Sequence, residues 1–137
     1  MKMDEKAVKA SNGSSLAYVG DAVAEVFVRS TLIELGISDP GRFNELALRF
    51  VTAHAQSAAY AKVSELVTEE EKEILTRGRN AKLTHRPKNQ TQSDYRRATG
   101  FEALMGYLYL TGNEKRAREL FEKSYEEVIF DIKNKML

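Results

Sequence analysis

Cysteine is absent from the 137 residues, which excludes disulfides, thiolate nucleophiles and zinc–thiolate sites. Only two histidines occur, His54 and His85, far apart and without HxxxH or HExxH spacing, so no histidine metal motif is present. The longest apolar run, residues 103–110, falls well short of the roughly 20 residues a membrane span needs. The N-terminal MKMDEKAVKA lacks the apolar centre of a signal peptide. These absences predict a cytoplasmic protein with no membrane association. Strand signals are also missing: no sustained two-residue alternation and no Asn-Gly hairpin between β-branched runs. Nor is there an excess of one charge, since 21 basic residues face 20 acidic ones. Any case for a nucleic-acid partner must therefore rest on local charge distribution.

What remains is a helical composition. With only Pro40 and Pro87 as breakers, the chain has the size of one domain, residues 1–137, and enough apolar content for a real core. Asn12-Gly13 reads as a turn before a helix over 14–35, closed by Gly36. Asp39-Pro40 offers an N-cap with proline in the first helical position, and an alanine-rich helical region follows to about 66. TEEE at 68–71 fits a capping box, opening a helix that reaches about residue 76. A polar segment, about 77–92, reads as a long loop. A helix over 93–110 is stopped by Gly112, and Asn113 caps a last helix to about 133. The expectation is one all-α domain with one conspicuous loop.

Two carboxylates stand out on these helices. Asp21, Glu25 and Arg29 recur at four-residue spacing and share a face, with Ser14 on the same side. The stripe reads as the solvent face of an amphipathic helix. Glu25 can pair with Arg29, however, whereas Asp21 has no basic residue three or four positions away. Glu102 is the only charged residue between positions 98 and 110, and its helical neighbours Ala98, Thr99, Met105 and Gly106 cannot neutralise it. Burying such a carboxylate is costly without an outside partner. Either an arginine from another segment satisfies Glu102, or Asp21 and Glu102 converge on a cation. Mg²⁺ suits the second case because it needs only one or two carboxylates and keeps several waters. His54, set among alanines, reads as a packing or surface residue.

The loop carries the only strong charge segregation. Arg77, Arg79, Lys82, Arg86 and Lys88 fall in a window from 74 to 93 without one acidic residue, preceded by Glu65, Glu69, Glu70, Glu71 and Glu73. With Asn80, these are candidate contacts to a phosphate backbone. The alternative is a solvated loop that balances the acidic helix before it. The loop has no aromatic residue for stacking on single-stranded bases, so duplex contact is the better nucleic-acid hypothesis. Tyr95 and Thr99 lie just beyond it.

LAYVGDAV at 16–23 resembles the signature helix of the ribonuclease III family, and ATGFEALMGYLYL at 98–110 resembles the family's second signature. The chain's length and the RGRNAK…PKN segment between these motifs resemble the Mini-III branch of bacterial ribonuclease III. The resemblance spans essentially the whole chain from Leu16. It implies an all-helical homodimer that cleaves double-stranded RNA with Mg²⁺, leaving 5′-phosphate and 3′-hydroxyl ends. For the Mini-III branch it further implies no separate double-stranded-RNA-binding domain and maturation of the large-subunit ribosomal RNA precursor. A ribosomal protein on that RNA is a further implied partner. Asp21 and Glu102 match the two acids of the signatures, as catalytic residues and metal ligands. Two other acidic positions of full-length members fall on Ala17 and Thr99, and a third on Ser14. Those departures predict one firmly held ion, and they keep open a second reading, a dimer that binds structured RNA without cutting it. A helical protein–protein adaptor would leave Asp21, Glu102 and the basic segment without a role.

Overall fold

In the computed structural model, residues 2–82, 88 and 90–135 are described. They form eight helices: α1 (Glu5–Lys9), α2 (Gly13–Glu34), α3 (Pro40–Val51), α4 (Ala53–Val63), α5 (Glu69–Arg79), α6 (Gln92–Leu110), α7 (Glu114–Ser124) and α8 (Glu126–Lys135). No strand occurs among the described residues, as the missing alternation predicts. None of the described helices is long and apolar enough to cross a membrane.

Helix boundaries follow the chemistry of their ends. The Asn12 side chain accepts from Ser15 N–H to start α2, and Asp39 accepts from Gly41 N–H with Pro40 beside it at the start of α3. The capping box forms fully: Glu71 N–H donates to the Thr68 hydroxyl oxygen, and the Thr68 N–H donates to the Glu71 carboxylate. Gly36 and Gly112 take φ of +90° and +81°, a region that favours glycine, and so end α2 and α6.

Several expectations need correction. A short α1 precedes the first long helix. The alanine-rich region divides at Thr52, whose side chain caps α4, and the last helix divides at Tyr125, whose hydroxyl donates to the Phe50 carbonyl. Asn113 sits at the start of α7 without a side-chain cap bond, because its amide donates to the Thr111 hydroxyl instead. The basic loop is shorter than 77–92, since α5 runs on through Arg77, Gly78 and Arg79. Gly78 is not a terminator there. It is buried, and a Cβ on it would come within 2.6 Å of the Ala103 Cβ, so the glycine lets α5 press onto α6.

Helix α6 is the hub, packed against α2, α4 and α5. Phe101, Leu104 and Met105 on α6 are fully buried, together with Leu16 and Leu32 from α2, Phe50 from α3 and Phe121 from α7. The α2–α6 contact is unusually close. A Cβ on Gly20 would stand 1.6 Å from the Glu102 carbonyl oxygen, and one on Gly106 would stand 2.0 Å from the Leu16 carbonyl oxygen. Reciprocal glycines thus bring the two backbones together beside Asp21 and Glu102.

Candidate active site

Backbone proximity gives the two carboxylates one location. Asp21 is exposed on α2, Glu102 is half-buried on α6, and both side chains face one cleft, close enough for the Asp21 charge to act on Glu102. They line a cleft of about 280 Å³ with Ser14, Ala17, Thr99, Arg79 and Lys82. Among the described residues, no lysine, arginine or histidine forms an ion pair with Asp21 or Glu102. Neighbouring Glu25 does pair with Arg29, at 3.0 Å. The rescuing arginine is therefore not found among the described residues. Instead, a buried residue absent from the sequence reading reaches Glu102: the Gln56 side-chain N–H, from α4, donates to Glu102 Oε2 at 3.4 Å.

Burial pushes the Glu102 carboxyl up to about 8, the hydrogen bond and charge of Asp21 push the same way, and the Gln56 amide opposes them. Two carboxylates in contact, short of counter-charge, are what a hard cation compensates. Among the described residues no group of three or more His, Cys, Asp and Glu converges. Two carboxylates are enough for a hard divalent cation that keeps several of its waters, as Mg²⁺ does.

The raised pKa has a consequence for stability. Below about 4.5, the usual value, Glu102 is protonated in folded and unfolded chains alike, and its contribution is fully present. As pH climbs toward about 8, the unfolded chain loses its proton first, so this contribution is lost across that window. Screening on the open side of the cleft reduces the effect to about 2 kcal/mol, or roughly 5 °C or more in melting temperature. Without divalent metal, wild type should therefore lose melting temperature relative to Glu102→Gln between pH 5 and 9, and Mg²⁺ should restore it. Parallel melting curves for the two proteins would contradict the shift.

The basic residues separate into two groups. Arg79 and Lys82 are exposed on the rim of the cleft, near Tyr95 and Arg96. Asn80 ends α5 and accepts from the Arg79 Nε at 3.4 Å. Arg77 points elsewhere: its guanidinium donates to the carbonyls of Lys9 and Ser11 and to Glu73, tying α5 to the α1–α2 junction. Lys88 is exposed, while Arg86 and His85 lie outside the described residues. His54 is exposed and lies 3.6 Å from Asp94, on the surface. Sequence reasoning missed Arg96, which donates to the carbonyls of Arg79 and Ala81. It satisfies carbonyls that a helix end leaves unpaired and so holds the basic rim in place. The Thr99 hydroxyl donates to the Tyr95 carbonyl at 2.8 Å, so at the cleft its oxygen has only acceptor capacity left.

A helical domain with an acidic pair held between two glycine-paired helices matches the family model described as the ribonuclease III domain, over residues 14–113. The chain is 43% identical to a Mini-ribonuclease 3 of Enterococcus faecalis, over 88% of this chain and 92% of that one. It is 44% identical to a Mini-ribonuclease 3 of Symbiobacterium thermophilum, over 79% and 83% of the two chains. A Fusobacterium nucleatum protein solved by X-ray crystallography superposes with a TM-score of 0.76 at 28% identity, covering 85% of this chain and 89% of that one. The chain thus belongs to the ribonuclease III family and, within it, to the Mini-ribonuclease 3 group. It is an endoribonuclease, of a family whose nucleases are generally dependent on divalent metal.

Proposed function

We propose that this endoribonuclease cuts double-stranded RNA with Mg²⁺ held by Asp21 and Glu102, and that its substrate is the large-subunit ribosomal RNA precursor. The observation that carries the reading is the convergence of Asp21 and Glu102 on one cleft, with the Gln56 amide, and no basic group among the described residues, bonded to Glu102. A divalent ion bound there supplies Lewis acidity toward water and phosphate oxygens. Asp21, on the open side, orients the attacking water, and Glu102 closes the inner side of the site. Thr99 offers a neutral acceptor where full-length members carry an acid. The ribosomal substrate, with a ribosomal protein bound to it, rests on the resemblance to the Mini-III branch.

Arg79 and Lys82, on the rim, grip the RNA backbone, with Asn80, Arg86 and Lys88 continuing the basic segment. Replacing Arg79 and Lys82 together by alanine should weaken duplex binding and flatten its logarithmic salt dependence by roughly 1 to 2. An unchanged slope would remove both residues from the interface. Arg77 should contribute mainly to stability, given its carbonyl partners.

The same helix that carries Asp21 supports a homodimer. Tyr18, Val26 and Ile33 are 84%, 57% and 61% exposed, and their spacing of eight and seven residues aligns them on one face of α2. Tyr18, Ala22, Val26 and Tyr109 line a broad depression of about 760 Å³ beside Asp21. An apolar strip of this kind beside the catalytic residue is the face on which a second copy would seat.

The direct test is incubation of a long RNA duplex and a matched single strand with the protein, in Mg²⁺ and in EDTA. Cutting of the duplex in Mg²⁺, none in EDTA, and 5′-phosphate ends support the reading. Cleavage that persists in EDTA would overturn the metal assignment.

A further inference from the structure

We propose that Gln56 is a positioning residue that aims Glu102 at a cation without neutralising it. The inference rests on the reading of Asp21 and Glu102 as the cation-binding pair. Gln56 is only 6% exposed, on a face of α4 whose other buried residues include Ala53, Ala59 and Val63. An amide on that face costs free energy to bury, and helix packing alone has no need of it. Its bonded partner is 46 residues away, the Glu102 carboxylate at 3.4 Å.

The α4–α6 seat makes this reach possible. Tyr60, one turn beyond Gln56, lies against Gly100, where a Cβ would come 2.8 Å from the tyrosine ring. Gly100 precedes Glu102 by two residues, so the tight contact places Gln56 beside the carboxylate.

The chemistry of the donor matters as much as its position. A lysine or arginine here would pair with Glu102, as Arg116 pairs with Glu71 at 2.9 Å, and would cancel the charge that a cation needs. An apolar side chain would leave the half-buried carboxylate free to turn away from the cation's position. A neutral amide supplies direction alone. Hydrogen-bonding partners of metal-ligating carboxylates are typically worth 10- to 100-fold in metal affinity, and a 3.4 Å bond belongs at the lower end of that range.

The test uses full-length protein without RNA, titrated with Mn²⁺ by calorimetry and by the electron paramagnetic resonance of the free ion. Wild type, Gln56→Met, Gln56→Leu and Glu102→Gln are compared, each also melted in the absence of metal. Gln56→Met, close to isosteric, is expected to bind Mn²⁺ roughly tenfold more weakly with a metal-free melting temperature near that of wild type. Its cleavage rate should recover to within a few-fold of wild type at saturating metal. Gln56→Leu should behave alike and serves if the methionine variant fails to fold. Wild-type affinity in both Gln56 variants, with binding lost in Glu102→Gln, overturns the role of Gln56 and leaves the cation site standing. Weaker binding with a matching loss of metal-free stability assigns Gln56 to packing and also overturns the proposal. Mn²⁺ binding unchanged in Glu102→Gln overturns the cation site itself, and the role of Gln56 with it.

Discussion

Asp21→Asn is expected to lower duplex cleavage about a thousandfold or more while duplex binding stays close to wild type. One preorganised group aimed at charge in the transition state is commonly worth 10²- to 10³-fold, and with Asp21 as the proposed metal ligand the substitution also removes the stabilisation a cation gives to the phosphate. Asparagine keeps the shape and removes the charge. Asp21 is exposed and forms no ion pair among the described residues, so the substitution sacrifices no salt bridge. It also removes a like charge from beside Glu102, so metal-free melting temperature should rise slightly or stay level. Activity should therefore fall with no loss of stability. Single-turnover cleavage, filter binding and thermal melting of the same preparation check all three points. A variant that cuts at more than about a tenth of the wild-type rate would remove Asp21 from the catalytic machinery. One that loses cleavage only because it melts would assign the residue to the fold.

How far the sequence could be read depended on whether the deciding contact was local. Asp21 and Glu102 stand out in the sequence because each lacks a basic partner within a helical turn, which a single helix reveals. The capping box at Thr68 and Glu71 and the proline start of α3 were legible for the same reason. The division of the alanine-rich region at Thr52 and of the last helix at Tyr125 carried no glycine or proline to mark it. Each break is held by specific bonds, a threonine cap in one case and a tyrosine hydroxyl on the Phe50 carbonyl in the other. Gly78 looked like a loop residue, yet it lies inside a helix because α6 presses against it. Arg77 looked like Arg79, and only the tertiary structure turns it toward the carbonyls of Lys9 and Ser11. Gln56 gave no signal, since its role depends on a residue 46 positions away.

Gly20→Ala is expected to be among the most damaging substitutions in the chain, although alanine is the better helix former by about 1 kcal/mol. The added Cβ would lie 1.6 Å from the Glu102 carbonyl oxygen and 2.9 Å from the Gly106 nitrogen. Both obstacles are backbone, so no side chain can rotate aside, and α2 must move away from α6. That separation opens the interior around Leu16 and Leu104, and overpacking of this kind costs about 3 kcal/mol or more. Gly106→Ala meets the Leu16 carbonyl oxygen at 2.0 Å and should behave alike. Gly41→Ala is the contrasting case. Its nearest neighbour would be the Asp39 side chain at 3.4 Å, so the propensity gain should survive and the variant should be neutral or slightly stabilised. Urea midpoints for the three variants test the contrast, and Mn²⁺ binding by any folded Gly20→Ala adds a functional arm. Moving α2 off α6 also pulls Asp21 from Glu102, so metal affinity should fall with stability. Equal midpoints for Gly20→Ala and Gly41→Ala would mean that the α2–α6 contact tolerates a methyl group, and the carboxylate pair would then owe its spacing to something other than this glycine seam.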